Sequence, residues 1–355
     1  MSKMRSIDRD SNMELMRIVC MFFILVHHFI IHVFYPNLSI RDGDLNLYRA
    51  VCILMNGFTY VGVNCFILIS GYYGIKFKVR SLFNLYCICA FYALLLQAMN
   101  WGVCGLPFDR NAVYSVILPF THTQWWFIKC YVALFLLSPL LNKAIENLDD
   151  KEFGWVLLLM AVVNVYFGYY WHQHNVDGYN LEQFVFVYLI GGFLRKVPFE
   201  RLSKNRALLL YVLCAMLWSG ITILSVKRRI PHWISFHYNN PLVLLASIGF
   251  FVYFTKLDFH KGWINAVASS VLAAYLIQDV QGGVVYSLAD RFRNDVMALV
   301  GSEMWSISAI VAFVILGSIV VLATAIAIDR SRMLLMIPVW KIYNVFSRKF
   351  MRVFR

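Results

Sequence analysis

The chain has 355 residues, of which 61% are hydrophobic and only 14% are charged. Soluble globular domains average about 25% charged residues, so this composition excludes a water-soluble core. The net charge of +13 would suit an acidic partner, but most Lys and Arg residues lie on the side of the predicted topology that carries both termini. Positive residues favour the cytoplasmic face of a membrane. The charge therefore predicts cytoplasmic termini and gives no support to nucleic-acid binding.

Ten apolar segments approach or exceed the roughly 20 residues that a membrane-spanning helix needs. They cover residues 14–35, 50–73, 81–103, 124–142, 153–171, 182–195, 206–226, 240–255, 264–288 and 303–328. The first is too long for a cleavable signal peptide, the sixth is short, and the ninth contains several polar residues. We predict an all-α, multi-pass membrane protein of about ten helices, with a transmembrane domain at 1–328 and a basic amphipathic cytoplasmic tail at 329–355.

The first segment contains ionisable residues at a depth where they are costly in lipid and often functional. Arg17 and His28 are separated by about 1100° of helical turn and roughly 16 Å of rise, so both project from one helix face. That face has a cation near the inner mouth and, further out, an imidazole that can move protons at neutral pH. A lone histidine here would often be structural, but the pairing with Arg17 and the flanking His27 favour a functional His28.

A metal site is a further possibility for this helix, because His28 and His32 have the i, i+4 spacing of helical metal ligands. No carboxylate or cysteine lies nearby in the sequence to complete such a site. We therefore predict no metal.

Other predicted helices place hydrogen-bonding groups at compatible depths. The candidate substrate-binding residues are Glu14, Asn64, Ser70, Trp125, Trp126, Lys129, Asn239 and Gln278. The two tryptophans would also fit an aromatic belt at the membrane interface. Near the cytoplasmic side, Lys76, Lys78 and Arg80 either follow the positive-inside rule or bind phosphate groups of a cofactor.

Two other groups of basic residues are not explained by this site. The residues at 227–229 lie on the outer side of the predicted topology, where they either extend to lipid headgroups or attract an anionic acceptor. In the tail, a basic stripe opposite an aromatic face is typical of a helix lying on the anionic inner leaflet. The stripe consists of Lys341, Arg348, Arg352 and Arg355.

The pattern Arg17, ten residues and then His28-Phe29 resembles the signature of the membrane-bound acyltransferase family 3, especially its branch that modifies bacterial surface polysaccharides. The resemblance covers nearly the whole chain. Further similar stretches are 62–66, 69–72, 125–127, 138–142, 188–192, 238–239 and 275–277. Two positions depart from the family pattern. Gln278 stands where a histidine is frequent, and the Arg-x-x-Arg pattern that opens the third helix keeps only Arg80.

The resemblance implies a ten-helix protein of the bacterial cytoplasmic membrane with an essential His28. It implies an acyl coenzyme A donor in the cytoplasm, with acetyl as the commonest acyl group, and no permanently bound cofactor. The acceptor would be a hydroxyl of a surface polysaccharide or of its lipid-linked precursor.

In the mechanism that we infer, the coenzyme A phosphates bind Lys76, Lys78 and Arg80. Arg17, at the inner mouth, is a further candidate for this group. His28 acts as a general base on the acceptor hydroxyl or carries the acyl group covalently. Three other residues have supporting roles in this hypothesis: Glu14 holds Arg17 or another helix in place, and Lys129 or Asn64 stabilises the oxyanion of the thioester.

Two other classes of protein compete with the enzyme. A carrier or flippase for a polysaccharide intermediate would also place Arg17 and His28 along a path. Transporters often have paired broken helices in related halves, and the sequence has no visible internal repeat of this kind. A non-catalytic partner of a glycan-assembly complex would have no use for the embedded arginine and histidine. The sequence therefore favours the enzyme.

Overall fold

The computed structural model describes residues 10–34, 45, 47–107, 109–197, 202–228, 237–278, 284–300, 307–341 and 343. Their regular structure is entirely helical. In chain order the helices are α1 (Ser11–Phe29), α2 (Leu47–Thr59), α3 (Gly62–Tyr73), α4 (Val79–Cys104), α5 (Arg110–Ile117), α6 (Trp126–Asn147), α7 (Asp150–Ala161), α8 (Leu181–Lys196), α9 (Lys204–Arg228), α10 (Pro241–Thr255), α11 (Gly262–Ala268), α12 (Val271–Gln278), α13 (Val284–Val300) and α14 (Ile307–Leu335). π-Helical segments extend α1 over Ile30–Phe34 and α7 over Val162–Tyr170.

Seven helical segments within the described ranges are long and apolar enough to cross a membrane. They are Ser11–Phe34, Leu47–Tyr73, Val79–Val103, Trp126–Asn147, Asp150–Tyr170, Lys204–Arg228 and Ile307–Leu335. The other three predicted spans correspond to shorter helical segments, Leu181–Lys196, Pro241–Thr255 and Gly262–Gln278. The structure confirms an all-α, polytopic membrane protein, whereas ten spans and cytoplasmic termini stay predictions.

Two predicted boundaries differ from the helices that form. The predicted ninth segment, 264–288, is not one helix, because α11 ends at Ala268 and α12 begins at Val271. The last helix continues past residue 328, where we predicted the end of the transmembrane domain, as far as Leu335.

Glycines allow the helices beside α1 to approach each other at backbone distance. A Cβ atom at Gly71 of α3 would overlap the carbonyl group of Tyr188 in α8, and one at Gly191 would overlap the carbonyl oxygen of Leu68. At Gly62 an added Cβ would lie 2.9 Å from the carbonyl oxygen of Cys20 in α1. Small residues at such crossings are a common packing device in membrane proteins. They fix α3 between α1 and α8.

Candidate active site

One face of α1 lines a path from Arg17 to His28. Arg17 lines a cavity of about 360 Å³, here called the Arg17 cavity. Met21, Ile24 and His28 line a second cavity of about 70 Å³, here called the His28 cavity. Positions separated by four, three and four residues form a single stripe on an α-helix. The structure thus places Arg17 and His28 on one helix face, as their spacing predicts.

Three large apolar side chains lie between the two cavities. Phe66 of α3, Phe127 of α6 and Leu272 of α12 line both of them. The rings of Phe66 and Phe127 meet edge to face, with 6.4 Å between their centroids. The cavities therefore adjoin at an apolar constriction formed by side chains.

Hydrogen bonds fix the protonation pattern of the His28 ring. His28 Nδ1 lies 2.7 Å from Oε1 of Gln278, and the hydroxyl of Tyr286 donates to the same oxygen. A carboxamide oxygen only accepts hydrogen bonds, so Nδ1 carries the proton and Nε2 keeps its lone pair. All three side chains are buried. His28 is therefore held as the tautomer whose Nε2 can take a proton.

Gln278 was predicted to bind substrate, and the structure instead shows it beside His28, 250 residues away in the chain. Its Oε1 is occupied by His28 and Tyr286. Its Nε2 is buried and has no hydrogen-bond partner among the described residues. Oε1 of Gln278 thus orients His28, whereas Nε2 is a donor without a hydrogen bond among the described residues.

Two further histidines surround His28. His27 Nδ1 contacts Oδ1 of Asn56, which ties it to α2. The ring of His32 lies 5.5 Å from that of His28 and 4.6 Å from that of Tyr286. His32 belongs to the π-helical extension of α1, and such segments often occur at functional sites.

In the sequence, the spacing of His32 from His28 indicates only a possible metal ligand. No group of three or more potential metal ligands occurs among the described residues.

Arg17 is paired with the carboxylate that precedes it by one turn. Its Nη1 donates to Oε1 of Glu14 at 2.8 Å. The Glu14 side chain is 6% exposed, whereas that of Arg17 is 33% exposed and lines the Arg17 cavity. Glu14, a candidate substrate-binding residue, therefore holds Arg17, which was the other role considered for it. The pair as a whole has no net charge.

Two of the predicted substrate-binding residues line the path. Ser70 lines the Arg17 cavity, with its hydroxyl donating to the carbonyl oxygen of Phe66 at 2.9 Å. Trp126 lines the His28 cavity and stacks on Tyr238, with ring centroids 5.7 Å apart. Both positions are consistent with contact to a molecule inside these cavities.

Asn64 has a different environment from the one that we predicted. Its Nδ2 donates to the carbonyl oxygen of Tyr238 at 2.9 Å, and its Oδ1 accepts from Nε2 of Gln183 at 3.2 Å. Gln183 also donates to the carbonyl oxygen of Tyr238, at 3.0 Å. These bonds join α3, α8 and the segment before α10. They use one of the two hydrogens on Nδ2 of Asn64, so its role in stabilising the oxyanion stays a prediction.

Asn239 and Trp125 are likewise engaged with backbone. Nδ2 of Asn239 donates to the carbonyl oxygens of Asn164 and Asn175, at 3.1 and 2.5 Å. Nε1 of Trp125 donates to the carbonyl oxygen of Leu276 at 3.2 Å. Both side chains are buried, at 0% and 1% exposure. The structure places them as links between segments and not in the lining described for either cavity.

Lys129 is the clearest departure from the predicted site. It lies in the first turn of α6 and is exposed. Its neighbours Phe127 and Ile128 line the Arg17 cavity, but Lys129 does not. The periodicity of a helix separates adjacent residues by 100°, so Lys129 projects away from the path. Its role in stabilising the oxyanion therefore has no support from the lining of the Arg17 cavity and stays a prediction.

The three predicted cofactor-binding residues do not form one cluster. Lys76 lines a cavity of about 500 Å³, here called the basic cavity. Lys78 is the residue before α4 and is exposed. The guanidinium of Arg80 lies 5.1 Å from the ring centroid of Trp340. Among the cavities described here, Lys76 lines the basic cavity, and Arg80 forms a cation–π contact with the segment after α14.

The cations that accompany Lys76 come from α8. Arg195 and Lys196 line the basic cavity together with Glu146 and Asn142. No local pattern in the sequence indicates this group, because Lys76 lies more than 100 residues before Arg195 and Lys196 in the chain. Their only common feature is a position at a helix end. The cavity has three cations and one carboxylate, so it favours an anion.

The basic cavity lies next to the Arg17 cavity. Consecutive residues of α3 line them, Gly71 in the basic cavity and Ser70 in the Arg17 cavity. The ring of Phe77, next to Lys76, lies 5.3 Å from that of Phe135, which lines the Arg17 cavity. The basic, Arg17 and His28 cavities thus follow one another along the bundle.

Parts of the other basic groups fall outside the described residues. Lys227 and Arg228 end α9 and are exposed, whereas Arg229 lies outside those residues. Of the tail stripe, only Lys341 is described. The tail prediction therefore stays a prediction.

Comparison with known families agrees with this membrane-embedded histidine site. Residues 10–328 match the family model described as an acyltransferase domain, that of acyltransferase family 3. The match spans most of the chain, and the chain belongs to this family. It is a membrane acyltransferase. No curated protein and no solved structure matches the chain.

Proposed function

We propose that the protein transfers an acyl group from acyl coenzyme A, bound at the basic end of the bundle, to a hydroxyl of a surface polysaccharide or its lipid-linked precursor. The acyl group is acetyl, and the membrane is the cytoplasmic membrane of a bacterium. The observation that supports this most is the succession of three cavities that ends at His28. The alternative function, a carrier for a polysaccharide intermediate, has no support from the membership of the chain in an acyltransferase family.

A long donor with an anionic head suits this succession. The head would bind in the basic cavity, where Lys76, Arg195 and Lys196 supply positive charge. Phosphate groups form their strongest hydrogen bonds with such cations. The narrow arm of the donor would extend through the Arg17 cavity. From the level of Arg17 to that of His28 the helix rises roughly 16 Å, which a thin flexible arm spans.

The chemistry at the end of the path is an exchange of thioester for ester. The acceptor oxygen attacks the carbonyl carbon while Nε2 of His28 takes the hydroxyl proton. The carbon–sulfur bond then breaks, and the departing thiolate receives that proton from His28. Gln278 keeps Nδ1 protonated throughout by accepting its hydrogen bond. The reaction needs no other proton donor and no metal.

Replacing His28 with Ala tests this function directly. The purified protein in nanodiscs would receive radiolabelled acetyl coenzyme A and an extract of bacterial envelope glycans and lipids. We expect a loss of transfer of about 100-fold or more, the usual contribution of a general base. His122→Ala, on an exposed loop, is the matched control and should keep full activity. Retained transfer in the His28 variant would exclude its catalytic role.

A further inference from the structure

The His28 cavity is small enough to select among acyl groups. We propose that Met21, Ile24 and Val63 set the upper limit on the length of the acyl group that the protein transfers. This inference rests on the proposed function, because it concerns the group delivered to His28. It extends that function by naming the residues that determine which acyl donors the protein accepts.

The volume of the cavity gives the limit. A water-sized group needs about 10–15 Å³ of such space, so a cavity of about 70 Å³ accepts roughly five to seven of them. The sulfur, carbonyl carbon, oxygen and methyl of an acetyl thioester occupy four, and the attacking oxygen of the acceptor is a fifth. A butyryl group adds two methylenes and brings this number to the upper end of the range, and an octanoyl group exceeds it. The neighbouring Arg17 cavity, at about 360 Å³, imposes no such limit on the arm of the donor.

The lining of the cavity suits hydrocarbon. Apart from His28, its walls are aliphatic and aromatic side chains. An unpaired hydroxyl placed in such surroundings would lose its hydrogen bonds to water, which is costly. The methyl of an acyl group has no such cost. The cavity is therefore the compartment for the acyl group, and the hydroxyl-rich body of the acceptor stays outside it.

The position of the three residues explains why they set the limit. Met21 and Ile24 lie on the face of α1 that carries His28 and line the cavity beside it, so they border the space left for the acyl group. Val63 lines the cavity from α3. All three are buried, with exposures of 3%, 7% and 5%.

The wall that carries these residues is fixed by a backbone contact. A Cβ atom at Gly62, next to Val63, would lie 2.9 Å from the carbonyl oxygen of Cys20 and 3.0 Å from Cγ1 of Ile24. Helices α1 and α3 are therefore already in direct contact at this point. Well-packed interiors resist added methylenes, so a longer acyl group cannot be accommodated by a small shift of either helix.

The experiment compares acetyl, butyryl and octanoyl coenzyme A as donors for the full chain in nanodiscs, with the envelope extract as acceptor. One methylene in a fitted pocket changes rates by about 10-fold or more. We expect butyryl transfer to be at least about 100-fold slower than acetyl transfer in the wild type. Met21→Ala and, independently, Val63→Ala should raise the butyryl-to-acetyl ratio about 10-fold. Met99→Ala is the matched control, since Met99 lines a separate apolar groove, and should leave the ratio unchanged.

The outcomes separate this inference from the function on which it rests. Equal wild-type rates with octanoyl and acetyl donors would overturn the length limit and leave the acyltransferase intact. An unchanged ratio in both enlarged variants would overturn the assignment to these residues. Absence of transfer from all three donors would overturn the proposed donor class, and the length limit with it.

Discussion

Two groups of buried polar residues lie inside the bundle, and their partners differ. In the path group, His28 is bonded through one ring nitrogen to Gln278, and its ring lines a cavity. In the network group, Asn64 and Gln183 are bonded to each other and to the carbonyl oxygen of Tyr238. Buried polar groups normally need such partners. The comparison indicates that polarity within a membrane marks function only where the group also faces space for a ligand.

The two glutamines provide the sharpest test of this contrast, because the same substitution can be made in each group. Gln278→Ala removes the acceptor that holds Nδ1 of His28. A hydrogen bond to a group that becomes charged contributes about 1.5–3 kcal/mol, so we expect the rate of acyl transfer to fall about 10- to 100-fold. Turnover assays with acetyl coenzyme A would measure it.

Gln183→Ala is the control for that variant. Within the described residues, the side chain of Gln183 donates hydrogen bonds to Asn64 and to the carbonyl oxygen of Tyr238, and not to His28. The variant should therefore leave the turnover of folded protein unchanged. A larger loss of turnover in Gln183→Ala than in Gln278→Ala would remove the distinction between path and network.

Asn64→Ala should have a smaller effect, and that effect should be on the stability of the protein and not on the rate of acyl transfer. The change leaves Gln183 without one of its buried partners, which costs about 1–3 kcal/mol. We expect a lower thermal midpoint in detergent and normal turnover by the protein that remains folded. A normal midpoint combined with lost turnover would show that Asn64 acts in catalysis, contrary to its placement here.

The sequence predicted well the features that depend on the period of one helix. The shared face of Arg17 and His28 follows from 3.6 residues per turn, and the pairing of Arg17 with Glu14 follows from neighbouring turns of α1. These predictions needed no knowledge of which helices pack together.

Features that depend on packing between distant helices could not be predicted in this way. The basic cavity combines Lys76 with Arg195 and Lys196, and nothing in the spacing of these residues indicates that α8 ends beside the loop after α3. The burial of Asn64 in a network is likewise a property of three segments. The depth of Lys129 could be predicted but not its direction around α6, and it lies outside the lining of the Arg17 cavity.

The central claim is that the acyl group moves through the protein from the basic cavity to an acceptor on the opposite side. Proteoliposomes with the protein in one known orientation test it, with acetyl coenzyme A supplied on one side and the envelope extract on the other. The account predicts transfer only when the donor is on the side of Lys76 and Arg195 and the acceptor is across the membrane. Transfer that requires donor and acceptor on the same side would contradict it.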